Sequence, residues 1–212
     1  MADVFGLTVE RTVEDAAALR GTLGEPSERA ANKVTDRIDA PTARWIAASP
    51  FAVMATRRAD GGVDLTPRGD PPGFAKVLSP EVLALPERPG NRRGDALENL
   101  LADPRLGLIF LIPGEGATLR ISGEAKIVRD AGLAERMEVR GHRPDLILLL
   151  RVERVLSHCP KALIRSSLWR PEAWPDRNDV PSMAELMVAH GAPVDREEME
   201  AVIERDSRER LY

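Results

Sequence analysis

The chain of 212 residues contains one cysteine, one tyrosine and only three histidines, and aromatic residues make up 4% of it. A lone thiol, Cys159, excludes an intramolecular disulfide framework and any CxxC pair for zinc or redox exchange. His142, His158 and His190 lie far apart, and none has a partner at metal-ligand spacing, so no metal site is expected. Cationic excess is also missing. The formal net charge is -4, which with so few aromatics argues against nucleic acid as a partner. The longest apolar run, Leu146 to Leu150, is far too short to span a bilayer. MADVFGLTVERTVEDA shows no basic stretch leading into an apolar one, so a cytoplasmic protein without membrane association is expected.

Hydrophobic residues amount to 43% and charged residues to 30%, enough for a sizeable core in an ordinary soluble domain. From Thr12 to Ser49 the reading is helical in pieces, with Thr12 and Asp15 placed as a capping box and Ser27 and Thr42 as caps of later pieces. From Phe51 the hydrophobic period changes. PFAVMAT, VDLTPR, FAKVL, VLALP, RLGLIFLIP, ATLRISGEAKIV and DLILLLRVERVL read as strands, separated by turn residues such as Asp60-Gly61-Gly62. GDALENLLADP places Leu97, Leu100 and Leu101 on one helical face, and AGLAERMEVRG reads as a connecting helix. Many strands and few interposed helices favour a mainly β, α+β architecture, a split antiparallel β-barrel of about six strands with flanking helices, over a parallel sheet. The expected organisation is a helical extension over 1–49, the barrel over 50–170, and a second helical extension over 171–212 packed on the barrel or on a partner subunit.

The informative stretch is VLALPERPGNRRGDALENLLADPRLGLIF. It joins a strand to a loop carrying Arg88, Asn91, Arg92 and Arg93, then a helix, then a strand. Guanidinium groups and free backbone N–H groups beside a helix start suit a phosphate, and Arg68 could converge on the same anion, although surface arginines near helix starts are also common. Other features read as ordinary structure. Adjacent Cys159 and His158 point to opposite faces of a strand, Glu197, Glu198 and Glu200 form a solvated helix face, and Gly114-Glu115-Gly116 is a hairpin turn. Trp169 and Trp174 suit either packing or stacking on a ring.

The order PFAVMATRRADGGVDLTPRGDPPGF, LPERPGNRR, ADPRLGLIFLIP and LRISGEAKIV, over roughly Phe51 to Val128, resembles the flavin-binding core of pyridoxamine 5'-phosphate oxidase-like proteins. HCPKA (158–162) and RSSLW (165–169) resemble a subgroup of that superfamily whose substrate is unassigned. The resemblance implies flavin mononucleotide (FMN) as cofactor, held by a homodimer at its subunit interface. It places Arg92 and Arg93 on the FMN phosphate with Asn91 assisting, where the family has a Gly-Ser-Arg-Lys stretch and this chain has Gly90-Asn91-Arg92-Arg93. It also places Pro86 and Glu87 beside the ribityl chain or ring, Thr66 and Arg68 under the isoalloxazine, and Thr118 where the family often puts a glutamine from the other subunit. Arg165 and Trp169 are expected at the cleft rim. The arginine–histidine pair that grips the vitamin phosphate in true pyridoxamine 5'-phosphate oxidases has no counterpart here. The function implied is an FMN-dependent oxidoreductase acting on a small molecule, with a non-catalytic flavin, deazaflavin or haem binding or sensing protein as the alternative.

Overall fold

The computed structural model describes residues 1–212, position 29 by its backbone alone, and the chain parts into two compact units, Met1–Val34 and Thr35–Tyr212. In the first unit β1 (Ala2–Val4) and β2 (Leu7–Val9) form a hairpin with Val4 opposite Leu7. Its two-residue turn, Phe5-Gly6, has φ of 55° and 81°, the left-handed pair that matches strand twist. That hairpin escaped the sequence reading, which lacked a turn signal between such short runs. Two helices follow, α1 (Ala16–Leu23) and α2 (Glu28–Ala31), capped by Asp15 and Ser27. A two-residue strand, β3 (Val34–Thr35), lies at the junction of the units.

The second unit opens with α3 (Ala40–Ala48), whose cap is Asp39 accepting from the Thr42 N–H, so Thr42 is the capped residue and not the cap. Buried Ile46 sits on its inner face. At the end of α3 the fully buried Ser49 donates its hydroxyl to the Leu111 carbonyl at 2.6 Å, fixing the entry to the sheet. Seven strands follow: β4 (Phe51–Arg57), β5 (Val63–Gly69), β6 (Lys76–Ser79), β7 (Val82–Glu87), β8 (Arg105–Leu111), β9 (Thr118–Val128) and β10 (Leu146–His158). They hydrogen-bond in the order β5-β4-β8-β9-β10-β7-β6, and every pair among them is antiparallel.

Strict alternation decides what this sheet encloses. Ala52 and Met54 of β4, Leu106, Leu108 and Phe110 of β8, Leu119, Ile121 and Ala125 of β9, and Leu83 and Leu85 of β7 all point to one core. β7 is buried on both faces, because Ala84 joins Ile147 and Met137 in a second cluster under α5 (Ala131–Arg136). The long β9–β10 pair needs a bulge to stay wrapped, and its register shifts between Val152 and Arg154. There Gly123 is obligatory, since a Cβ on it would lie 1.9 Å from the Arg151 carbonyl oxygen. The result is an α+β fold, a split antiparallel barrel with flanking helices, open between β5 and β6.

α4 (Asp95–Ala102) closes one end of the barrel through Ala96 and Leu100, with Leu97 half-buried against the core. Leu101, expected on that face, is 78% exposed, because the helix turns its Ala96–Leu100 line inward. After β10 come α6 (Lys161–Arg165), two short turns of 3-10 helix, α7 (Met183–Ala189) and α8 (Arg196–Glu209); buried Ala184 and Met199 lie on the last two. Among the described residues no helix is long and apolar enough to cross a membrane.

Candidate functional site

Where the barrel is split, the inward side of β5 faces the end of β7 across a cleft of about 810 Å³. Alternation on β5 turns Asp64, Thr66 and Arg68 toward it and Val63, Leu65 and Pro67 away. The opposite wall is Pro86, Glu87 and Arg88, continuing into the loop Pro89–Gly94 and the first turn of α4. Of the ten residues expected to hold a cofactor, the structure therefore brings seven together here: Thr66, Arg68, Pro86, Glu87, Asn91, Arg92 and Arg93.

Two ion pairs span the split like rungs. In the first, Arg68 Nη2 lies 3.1 Å from Glu87 Oε2, with about a fifth of each side chain exposed. The approach is close in distance but out of line for a hydrogen bond, so Glu87 Oε2 and Arg68 Nε are both buried without a hydrogen-bond partner. Burial pushes the Glu87 carboxyl above its ordinary range, and Arg68 opposes this only partly. In the second rung, Arg88 Nε donates to Asp70 Oδ2 at 2.6 Å. The same guanidinium donates to the carbonyls of Met137 at 2.6 Å and His142 at 3.2 Å. Arg88, grouped with the phosphate-binding candidates in sequence, is thus committed to holding the loop's entrance.

The loop itself is shaped for close approach. Arg92 and Gly94 have φ of 59° and 71°, in the left-handed region, and the Arg93 N–H donates to Asn91 Oδ1 at 3.0 Å. Gly94 caps α4 without a side chain, so the helix's first N–H groups meet no side-chain acceptor. Arg93 spends its guanidinium on Asp95, 2.8 Å away, whereas Arg92 has no ion-pair partner among the described residues. Chemically the cleft offers an arginine-bearing loop beside a helix start at one end and, at the other, a buried donor and acceptor without a hydrogen-bond partner among the described residues.

The remaining three candidates gather elsewhere. Thr118 begins β9 opposite His158, 7% exposed, with its Oγ1 lacking a hydrogen-bond partner. Trp169 Nε1 donates to the Glu115 carbonyl at 2.8 Å, which folds the stretch after α6 onto the same β8–β9 turn. Arg165 ends α6 on that stretch. Within one chain none of the three lines the cleft. Between the two groups runs the outer face of the sheet, a shallow apolar groove of Val53, Ala55, Leu65, Ile109 and Leu156 edged by Arg120 and Arg154. Leu65 is 70% exposed and borders both groove and cleft.

Sequence reasoning missed Asp70 and Tyr212. Asp70 lay inside a turn-like GDPPG, and the Tyr212 hydroxyl reaches it across 142 residues, donating at 2.7 Å to Oδ1. Among the described residues no cluster of histidine, cysteine, aspartate or glutamate could hold a metal ion.

A pyridoxamine 5'-phosphate oxidase family model matches residues 38–159, more than half of the chain. The chain belongs to this family. Among solved structures it is similar to HupZ of Group A Streptococcus, at 17% identity over 57% of this chain and 93% of that one, with a TM-score of 0.46. A conserved hypothetical protein of Mycobacterium tuberculosis gives 18% identity over 70% and 96%, with a TM-score of 0.44. An FMN-binding protein of Syntrophomonas wolfei gives 10% over 54% and 82%, with a TM-score of 0.44. No curated protein matches the chain.

Proposed function

We propose that the protein is an FMN-dependent oxidoreductase that binds the cofactor in the split of its barrel and works as a homodimer on a small-molecule substrate. The observation that carries this is the orphaned pair at the cleft wall. Buried Arg68 Nε and Glu87 Oε2 need an acceptor and a donor from outside the chain, and they share one cleft with the loop of residues 90–94. A flavin ring edge, which carries carbonyl acceptors beside an N–H donor, fits that requirement, and the loop suits its phosphate.

Arg92 binds the phosphate with its free guanidinium. Arg93 joins by exchanging Asp95 for the anion, and the N–H groups of the loop and of the α4 start complete the cradle. FMN, once bound, supplies hydride chemistry that no side chain here can perform. The chain would orient it: Thr66 and Pro86 line the cleft where the ring would lie, and Arg68 would place positive charge beside it. Glu87, whose carboxyl is pushed up by burial and held down in part by Arg68, would accept at Oε2 from the ring N–H.

The outer face supports the dimer. Covering Val53, Ala55, Leu65, Ile109 and Leu156 with the same face of a second copy removes an exposed apolar strip. It also carries Thr118, Arg165 and Trp169 of one subunit toward the cleft of the other, beside Leu65. Titration with FMN and with riboflavin tests the reading. Replacing Arg92 and Arg93 together by alanine is expected to weaken FMN by about 2–4 kcal/mol and to leave riboflavin, which has no phosphate, nearly unchanged. Equal loss for both ligands, or none for either, refutes it.

A further inference from the structure

The contacts of Tyr212 extend the flavin reading, on which this inference partly rests. Its hydroxyl donates to Asp70 Oδ1, and its ring stacks on His142 with centroids 5.9 Å apart and planes 23° from parallel. The guanidinium carbons of Arg88 and Arg140 stand 5.6 Å and 5.7 Å from the ring centroid. His142 and Arg140 come from one tight turn in which Val139 and His142 exchange backbone hydrogen bonds. Arg140 adopts a φ of 50° there, a conformation that is costly for a non-glycine residue and persists only where its surroundings hold it. Arg88 donates to the carbonyl of His142 as well as to Asp70, so turn, carboxylate, guanidinium and phenol form one closed network at the edge of the cleft.

We propose that Tyr212 is a positioning residue for the cofactor cleft: through Asp70 it fixes Arg88, and through Arg88 it fixes both the 139–142 turn and the entrance of the phosphate-binding loop. Only 2% of the Asp70 side chain is exposed, so an oxygen that loses the phenol has little access to water in compensation. Arg88 immediately precedes Pro89–Gly94, and a loosened Arg88 obliges the loop to be ordered each time phosphate binds. Tyr212 itself touches no phosphate. Its effect is relayed.

The test is Tyr212→Phe, which keeps the ring and removes only the hydroxyl. Amide hydrogen exchange of the full chain without ligand is compared with wild type, and FMN and riboflavin affinities are measured on both. The amides of Val139 and His142 are expected to exchange about tenfold faster in the variant, and FMN is expected to weaken about tenfold more than riboflavin. Unchanged exchange at 139 and 142, with acceleration confined to α8, overturns the proposal and leaves Tyr212 as an anchor for its own segment. Accelerated exchange at 139 and 142 in a protein that binds neither flavin upholds the coupling and refutes the cofactor reading alone.

Discussion

The two halves of the Arg68–Glu87 rung are expected to respond unequally to substitution. At 3.1 Å the pair attracts by about 5 kcal/mol for an effective dielectric of about 20, and each side chain keeps about a fifth of its surface in solvent. Burial nevertheless outweighs this attraction, because the Glu87 carboxyl sits above its ordinary range. Removing the arginine by Arg68→Met leaves a buried carboxylate unopposed, which costs about 3–5 kcal/mol when fully buried and about 2–3 kcal/mol at this partial exposure. Glu87→Gln removes the group that burial penalises but leaves the Arg68 guanidinium without its counter-ion, and as the amide oxygen can still face it the cost at neutral pH is expected to be about 1–2 kcal/mol, below that of Arg68→Met. The sign of the pH dependence follows. A carboxyl raised in the folded state contributes stability that is complete below its unfolded value of about 4.3 and is lost as pH rises through the folded value. Glutamine does not titrate. Relative to Glu87→Gln, the wild-type protein should therefore lose stability from about pH 4.3 upward until Glu87 is fully ionised. Urea unfolding of the two proteins without ligand, at several pH values between about 4 and 8, measures this directly. Parallel pH curves, or a Glu87→Gln loss at neutral pH as large as that of Arg68→Met, would refute the reasoning.

Two further outcomes can be checked by simple means. Gly123→Ala forces a methyl into the Arg151 carbonyl at the β9–β10 bulge, where backbone must move, and is expected to cost more than about 3 kcal/mol, seen as a lowered melting temperature or loss of soluble protein. Leu65→Glu, at a site already 70% exposed, is expected to leave the melting temperature of the subunit within a few degrees while converting a dimer into a 23.2 kDa species in analytical ultracentrifugation; a wild type that already sediments as that monomer, or a variant that remains dimeric, contradicts the proposed interface.

The fold was legible because short apolar runs such as those of β7 and β8 are bounded by turn residues, and on β5 a period-two alternation separates Thr66 and Arg68 from Leu65. That the loop of residues 89–94 lies beside a helix start was legible too, since the strand, the arginine-bearing loop and the helix are contiguous in the chain. What stayed hidden was tertiary. Nothing local to Arg88 separates it from Arg92, yet one is spent on Asp70, Met137 and His142 while the other is unpaired among the described residues. Leu101 fits the helical stripe as well as Leu100 does, and only the direction from which the barrel meets α4 leaves it in solvent. The contact between Tyr212 and Asp70 is set by the return of the last helices, and no spacing in the chain encodes it.

The central claim, that the split of the barrel holds a flavin through its phosphate, is tested most directly by the cofactor that accompanies the purified protein. Absorbance of the native protein is recorded before and after addition of a reduced nicotinamide, and the small molecule released on denaturation is identified by mass. The expected result is a flavin spectrum bleached by the reductant and the mass of FMN in the released fraction. A colourless protein that takes up no FMN when it is supplied contradicts the claim.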